Sequence, residues 1–181
     1  MPMKPAEYLQ SLYKKFDHPL LANFKLSDLD NNINYRFGAF VLATREDKVV
    51  LIRRQPDKKF PGIENSWWIP GGSQKDDEQL DITAMRELKE ETGLVCTLQR
   101  TLLAELVPDR LFIAVTFRGL VIDGKISTDN DPDKTTAEVK YFSRNSVPFT
   151  KLWLDSDKIT LVQEKFANGK ITNLIANNGF K

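Results

Sequence analysis

The chain has 181 residues, a formal charge of +1 and 41% hydrophobic residues, which suits one compact domain with a real core and excludes the disordered and fibrous classes. Near-neutral charge argues against a global field that gathers nucleic acid or anionic membrane, so partners must be read from local clusters. The lone cysteine, Cys96, excludes an intrachain disulfide and a cysteine zinc site, and the lone histidine, His18, excludes a multi-histidine metal site.

Residues 5–16 have helical spacing of Tyr8, Leu9, Leu12, Tyr13 and Phe16, with Pro5 suited to the first turn and Lys14 and Lys15 to the last. This helix either caps the domain or pairs with a second subunit in a homodimer. Residues 17–33 lack a period and read as a connector, so residues 1–33 form an arm and residues 34–181 the main domain. The N-terminus has no signal-peptide core and no apolar run reaches membrane-spanning length. A cytoplasmic, reducing compartment is the expectation, with Cys96 a buried, inert thiol.

From Asn34 the pattern is β. Strands are expected at Tyr35–Thr44 and Val49–Arg54, joined by the polar Arg45–Lys48. A loop then leads to a short strand, Trp67–Ile69, stopped by Pro70-Gly71-Gly72. A helix over Leu80–Thr92 ends at Gly93. Two strands, Val95–Val107 and Arg110–Ile122, meet at Pro108-Asp109, and a short strand lies around Val139–Phe142. Residues 148–154 read as irregular and Lys158–Phe166 as a last helix. Strands, a helix, strands and a helix imply an α/β chain with a mixed sheet and helices on its faces.

In the helix over Leu80–Thr92, Glu87, Glu90 and Glu91 share one face, with Thr83 and Ala84 one turn earlier leaving open volume beside them, while Ile82, Met85 and Leu88 point toward the core. Like charges at this spacing repel. A hard divalent cation would neutralise them. A solvated acidic face has the same spacing, and Arg86 could serve either as a partner of Glu90 or as a brace for the carboxylates.

The segment Gly72–Leu94 resembles the Nudix box, G-x5-E-x7-R-E-U-x-E-E-x-G-U with U aliphatic. Gly72, Glu78, Arg86, Glu87, Leu88, Glu90, Glu91, Gly93 and Leu94 meet every fixed position over 23 residues. The approach Trp68-Ile69-Pro70-Gly71-Gly72 is similar to the W-x-P-G-G common in the superfamily. The resemblance implies an α/β/α sandwich with a loop–helix–loop catalytic motif. It further implies Mg²⁺ or Mn²⁺ held by Glu87, Glu90, Glu91 and the Gly72 carbonyl. Arg86 would orient the glutamates, and Glu78 would support the loop or a further metal. The implied reaction is hydrolysis of a nucleoside diphosphate linked to another moiety: a nucleotide sugar, ADP-ribose or a nucleoside triphosphate.

Outside the box, Glu138 is the first choice of general base, with Asp131 and Asp133 as rivals and Glu87 or Glu90 as bases within it. Arg53 and Arg54 are candidates for substrate phosphates, at most one entering a given cleft because strand side chains alternate. They fit an edge strand guarded by charge equally well. Phe60 and Trp68 are candidates for stacking on a base, against core packing as the alternative. Gly71 adjoins the same site. A silent nucleotide sensor and an RNA 5′-end hydrolase are the competing functions. Sensors of this fold usually lose box carboxylates, and none is lost here.

Overall fold

A computed structural model describes residues 4–56, 66–76, 78–143 and Ser146. Helix α1 (Pro5–Phe16) is followed by strands β1 (Leu21–Ala22), β2 (Arg36–Arg45), β3 (Lys48–Arg54), β4 (Trp67–Trp68) and β5 (Gly71–Ser73). Helix α2 (Leu80–Thr92) and strands β6 (Leu94–Val107), β7 (Phe112–Gly124) and β8 (Thr136–Ser143) complete it. The expected helix at 158–166 and the irregular stretch at 148–154 fall outside the described residues.

The strands form one mixed sheet in the order β1-β6-β7-β2-β3-β4, with β5 added to β2 and β8 to β3. Strand β2 runs parallel to β7, whereas β6 and β7 form a long antiparallel pair. Strands β2 and β3 pair only next to their turn, at Thr44↔Val49 and Arg45↔Lys48, and then diverge. The chain crosses that opening, first pairing as β4 with β3 and then as β5 with β2. Pro70 stands between, its carbonyl accepting from the Val41 amide at 2.8 Å. The sequence reading stopped the strand at Pro70-Gly71-Gly72; two glycines form a strand here because β2 supplies the ladder.

Both central strands are buried on both faces. Ala39, Val41 and Ala43 of β2 with Val50 and Ile52 of β3 face one core, and Leu42, Val49 and Leu51 face a second. This period-two alternation explains why the two strands read as nearly continuous apolar runs. The first core also takes Leu80, Ala84 and Leu88 of α2 and Leu9, Leu12 and Tyr13 of α1, so both described helices lie on the same side. No described helix is long and apolar enough to cross a membrane.

The connector contains more order than its lack of period suggests. Leu21–Ala22 pairs in parallel with β6, and Asn23 continues the edge with its side chain, accepting from the Leu106 amide and donating to the Leu106 carbonyl at 2.7 and 2.9 Å. A two-residue strand leaves no periodic signature. Cys96 is buried as expected, and burial pushes its thiol up to about 11.

Leu12→Ala should therefore cost about 2–5 kcal/mol of unfolding free energy, as for other buried leucines, read from the shift of a denaturant midpoint. An unmoved midpoint would make α1 an appendage rather than part of the core.

Candidate active site

Helix α2 distributes its acids by depth. At about 100° per residue, Glu91 falls within about 20° of Leu80 and Ala84, which face the core. Glu87 lies about 40° further round and Glu90 about 100°. Side-chain exposure follows that order, at 3% for Glu91, 16% for Glu87 and 26% for Glu90. The core stripe thus runs through Leu80, Ala84 and Leu88, and this overturns part of the sequence reading. Ile82, expected in the core, lies opposite that stripe and is 48% exposed. Thr83 and Ala84, expected to leave open volume beside the acids, are fully buried, Ala84 in the core and Thr83 under Glu78, to which its hydroxyl donates at 2.8 Å.

Glu91 joins three elements. Its Oε2 accepts from the Gly71 amide on β5 and its Oε1 from Arg54 Nη1 on β3, each at 2.8 Å. Burial pushes its carboxyl up to about 8, against the opposing pull of Arg54 and the Gly71 amide. Burial also raises Glu87. In the fold, then, neither carboxylate has its negative charge fully compensated.

Arg86 is the brace. Its Nε and Nη2 hold the two oxygens of Glu78 at 2.8 and 2.9 Å, while Nη1 donates to Glu87 at 2.7 Å and Glu90 at 2.8 Å. The planar guanidinium is suited to this two-sided work. The Arg86 hydrogen bonds hold Glu78 down to about 2, so it is ionised at all ordinary pH, and the same acids push the guanidinium up. Arg86 also reaches the Ser73 carbonyl at 3.2 Å, tying the helix to the loop before it. Gly93 closes the helix at φ 73°, a left-handed conformation that glycine adopts without penalty.

Gly72 meets this helix at close range. A Cβ there would come within 2.6 Å of the Glu87 carboxyl carbon, so a larger residue would push the Glu87 carboxylate aside. Gly71, Gly72, Glu87, Glu90 and Glu91 share a cleft of about 730 Å³. Among the described residues no three metal-binding side chains already stand close enough to hold an ion, and Arg86 Nη1 bridges Glu87 and Glu90. The donor set nonetheless suits a hard dication: carboxylate oxygens, two with their charge poorly compensated, against a backbone segment that leaves room beside them.

The remaining candidates separate by position. Arg54 lines the cleft, whereas Arg53 pairs with Glu138 at 2.9 Å on the β3–β8 ladder. Glu138 is not among the residues lining the cleft, and its hydrogen bonds to Lys140 and Arg53 lower its pKa. Asp133 does line it. Asp131 is buried and accepts from the amides of Asp133, Thr135 and Thr136, shaping the loop that carries Asp133, Lys134 and Thr135 to the cleft. Trp67 packs edge-on against Phe142 in the second core, with Trp68 beside it and outside the cleft. Phe60 lies outside the described residues. Sequence reasoning passed over Lys75, Lys134 and Thr135. Lys75 stood inside the box, between Gly72 and Glu78, and was legible as a cation; the other two reach the site only through the fold.

Comparison with known proteins points to one family. The family model for the NUDIX domain matches residues 34–163. An ADP-ribose pyrophosphatase of Methanocaldococcus jannaschii is 30% identical over 129 residues, covering 69% of this chain and 70% of that one. A putative nudix hydrolase 1 of Caenorhabditis elegans is 27% identical over 83% of this chain, which spans 42% of that protein. A solved Nudix hydrolase from Nitrosomonas europaea shares the fold at a TM-score of 0.59 and 17% identity, covering 82% of this chain and 77% of its own. The family match runs through the same loop and helix that build the cleft, and the chain belongs to the Nudix hydrolase family.

Proposed function

We propose that this hydrolase cleaves the phosphate anhydride of a nucleoside diphosphate joined to another moiety, with Mg²⁺ or Mn²⁺ held by Glu87, Glu90, Glu91 and the Gly72 carbonyl. The observation that carries the reading is the convergence of all three box glutamates and Gly72 on one cleft. When bound, the metal supplies charge for the phosphate oxygens and lowers the pKa of a bound water.

The chain's own groups do the rest. Arg86 keeps Glu87 and Glu90 on the cleft wall and carries their mutual repulsion. Arg54, Lys75 and Lys134 line the same cleft and supply the positive charge that a diphosphate requires. The attacking water needs a carboxylate within hydrogen-bond reach of the cleft. Asp133 is our choice, because it lines the cleft and is not among the residues proposed to hold the metal. Glu138 is set aside, since it is not among the residues lining the cleft and its partners lower its proton affinity. ADP-ribose heads the substrate panel because the Methanocaldococcus jannaschii relative bears that activity in its name.

Glu91→Gln keeps the shape of the side chain and removes its charge. Its turnover of whichever panel substrate the parent hydrolyses with Mg²⁺ should fall about 10²–10³-fold, the scale on which loss of a single electrostatic contact acts. Near-parental turnover in a folded variant would remove Glu91 from the metal site.

The raised pKa of Glu91 gives a second test. Its folded value of about 8 stands above the ordinary 4.5, so the metal-free fold holds a proton that the unfolded chain has shed at neutral pH. That contribution to stability is complete below about pH 4.5 and is lost as pH rises through about 8. A dication binding the carboxylate displaces the proton. Titration calorimetry in two buffers of different ionisation enthalpy should find about one proton released per ion near pH 6.5 and almost none above about pH 9. Release that does not change with pH would contradict the raised proton affinity of Glu91 in the metal-free fold.

A further inference from the structure

Helix α1 meets the catalytic segment through polar contacts as well as apolar ones. The Tyr8 hydroxyl accepts from the Leu80 amide at 2.9 Å and from Gln74 Nε2 at 3.1 Å. The same Gln74 nitrogen donates to the Glu78 carbonyl. Leu80 opens α2, and Gln79 before it makes no side-chain cap, so the Tyr8 oxygen satisfies one of the amides that a helix start leaves unpaired. Gln74 is fixed from the other side by its amide, which donates to the Phe37 carbonyl at 2.9 Å, while the Tyr8 ring meets the Phe37 ring edge-on at 5.2 Å. Two turns along α1, Lys15 reaches the buried Asp81 at 2.5 Å. Tyr8 therefore ties Gln74, two residues past Gly72, to Leu80, the first residue of α2.

The loop and the helix meet closely here. Gly72 lies so close to Glu87 that a single added carbon would collide with the carboxylate. Ligands that come from both a loop and a helix must be in register, and misplacement by about 1 Å can cost about 100-fold in rate. We propose that Tyr8, from outside the Nudix box, is a positioning residue that keeps the Gly72 loop in register with Glu87, Glu90 and Glu91. This role rests on the metal-dependent hydrolysis proposed above. It acts through the Leu80 amide and Gln74, without contact with substrate.

The test is Tyr8→Phe in the full chain, which removes the hydroxyl and keeps the ring on Phe37. In the metal-free protein the Leu80 amide should exchange with deuterium about tenfold faster. Titration with Mn²⁺ alone should show half-saturation rising about tenfold, and kcat should fall by a similar factor with KM for substrate little changed. Leu12→Ala is the control, because it loosens the same helix without touching the hydroxyl. It should lower Tm while leaving Mn²⁺ half-saturation and kcat near parental values, each read well below both midpoints. The positioning role is overturned if Tyr8→Phe leaves Mn²⁺ uptake and kcat unchanged, or if Leu12→Ala moves them as far. A parent that neither takes up Mn²⁺ nor hydrolyses any panel substrate overturns the underlying metal reading, and the role of Tyr8 with it.

Discussion

The Glu91 carboxylate is taken almost wholly out of water and is met by one backbone amide, from Gly71, and one guanidinium, from Arg54. Removing a carboxylate from water is costly unless its oxygens are paired. Here the pairing fixes three elements at once: strand β5 through Gly71, strand β3 through Arg54, and helix α2 through Glu91 itself. The depth of this group follows from its place on the helix, in line with Leu80 and Ala84, so the residues that build the core also hold an acid where its charge is under-compensated. A fold optimised for stability alone would put an apolar side chain there. Retaining the acid makes sense if something positive arrives.

The scaffold that permits this is the divergence of β2 and β3. The two strands share only the first rungs beyond their turn, and the chain enters the gap as β4 and β5. The crossing brings Gly71 and Gly72 against α2 and leaves a cleft between the helix, the end of β3 and the loop at 131–136. Arg86 then solves the electrostatic problem that the helix creates. One guanidinium is shared between Glu78, Glu87 and Glu90, so the repulsion among acids one turn apart is balanced inside the segment.

Much of this was legible in the sequence, and the reasons for what was not are physical. The box pattern identifies the acids, Arg86, Glu78 and both glycines, because those residues interact within one short segment. Helix α1 shows in the spacing of Leu9, Leu12 and Tyr13. The orientation of α2 was misread at Ile82, Thr83 and Ala84, since a helix with acids on its inner side has no clean apolar stripe to set its rotation. Strands β1 and β5 were invisible because two or three residues carry no period, and their partners lie far away in the chain. The loop of Asp133, Lys134 and Thr135 reaches the cleft only through the pairing of β8 with β3. Tyr8 was read as one more apolar position on α1; its hydroxyl gains a role only when Leu80 and Gln74 are folded against it.

The central claim is that the glutamates of one helical turn and a facing glycine carbonyl form a site for a hard dication. Its most direct test is anomalous scattering from a crystal of the protein grown with Mn²⁺ and a non-hydrolysable nucleoside diphosphate analogue. The account predicts a peak at about 2.0–2.3 Å from oxygens of Glu87, Glu90 and Glu91 and from the Gly72 carbonyl, with Arg86 Nη1 displaced from between the two outer acids. A peak elsewhere, or none at these oxygens with the analogue seated in the cleft, would contradict it.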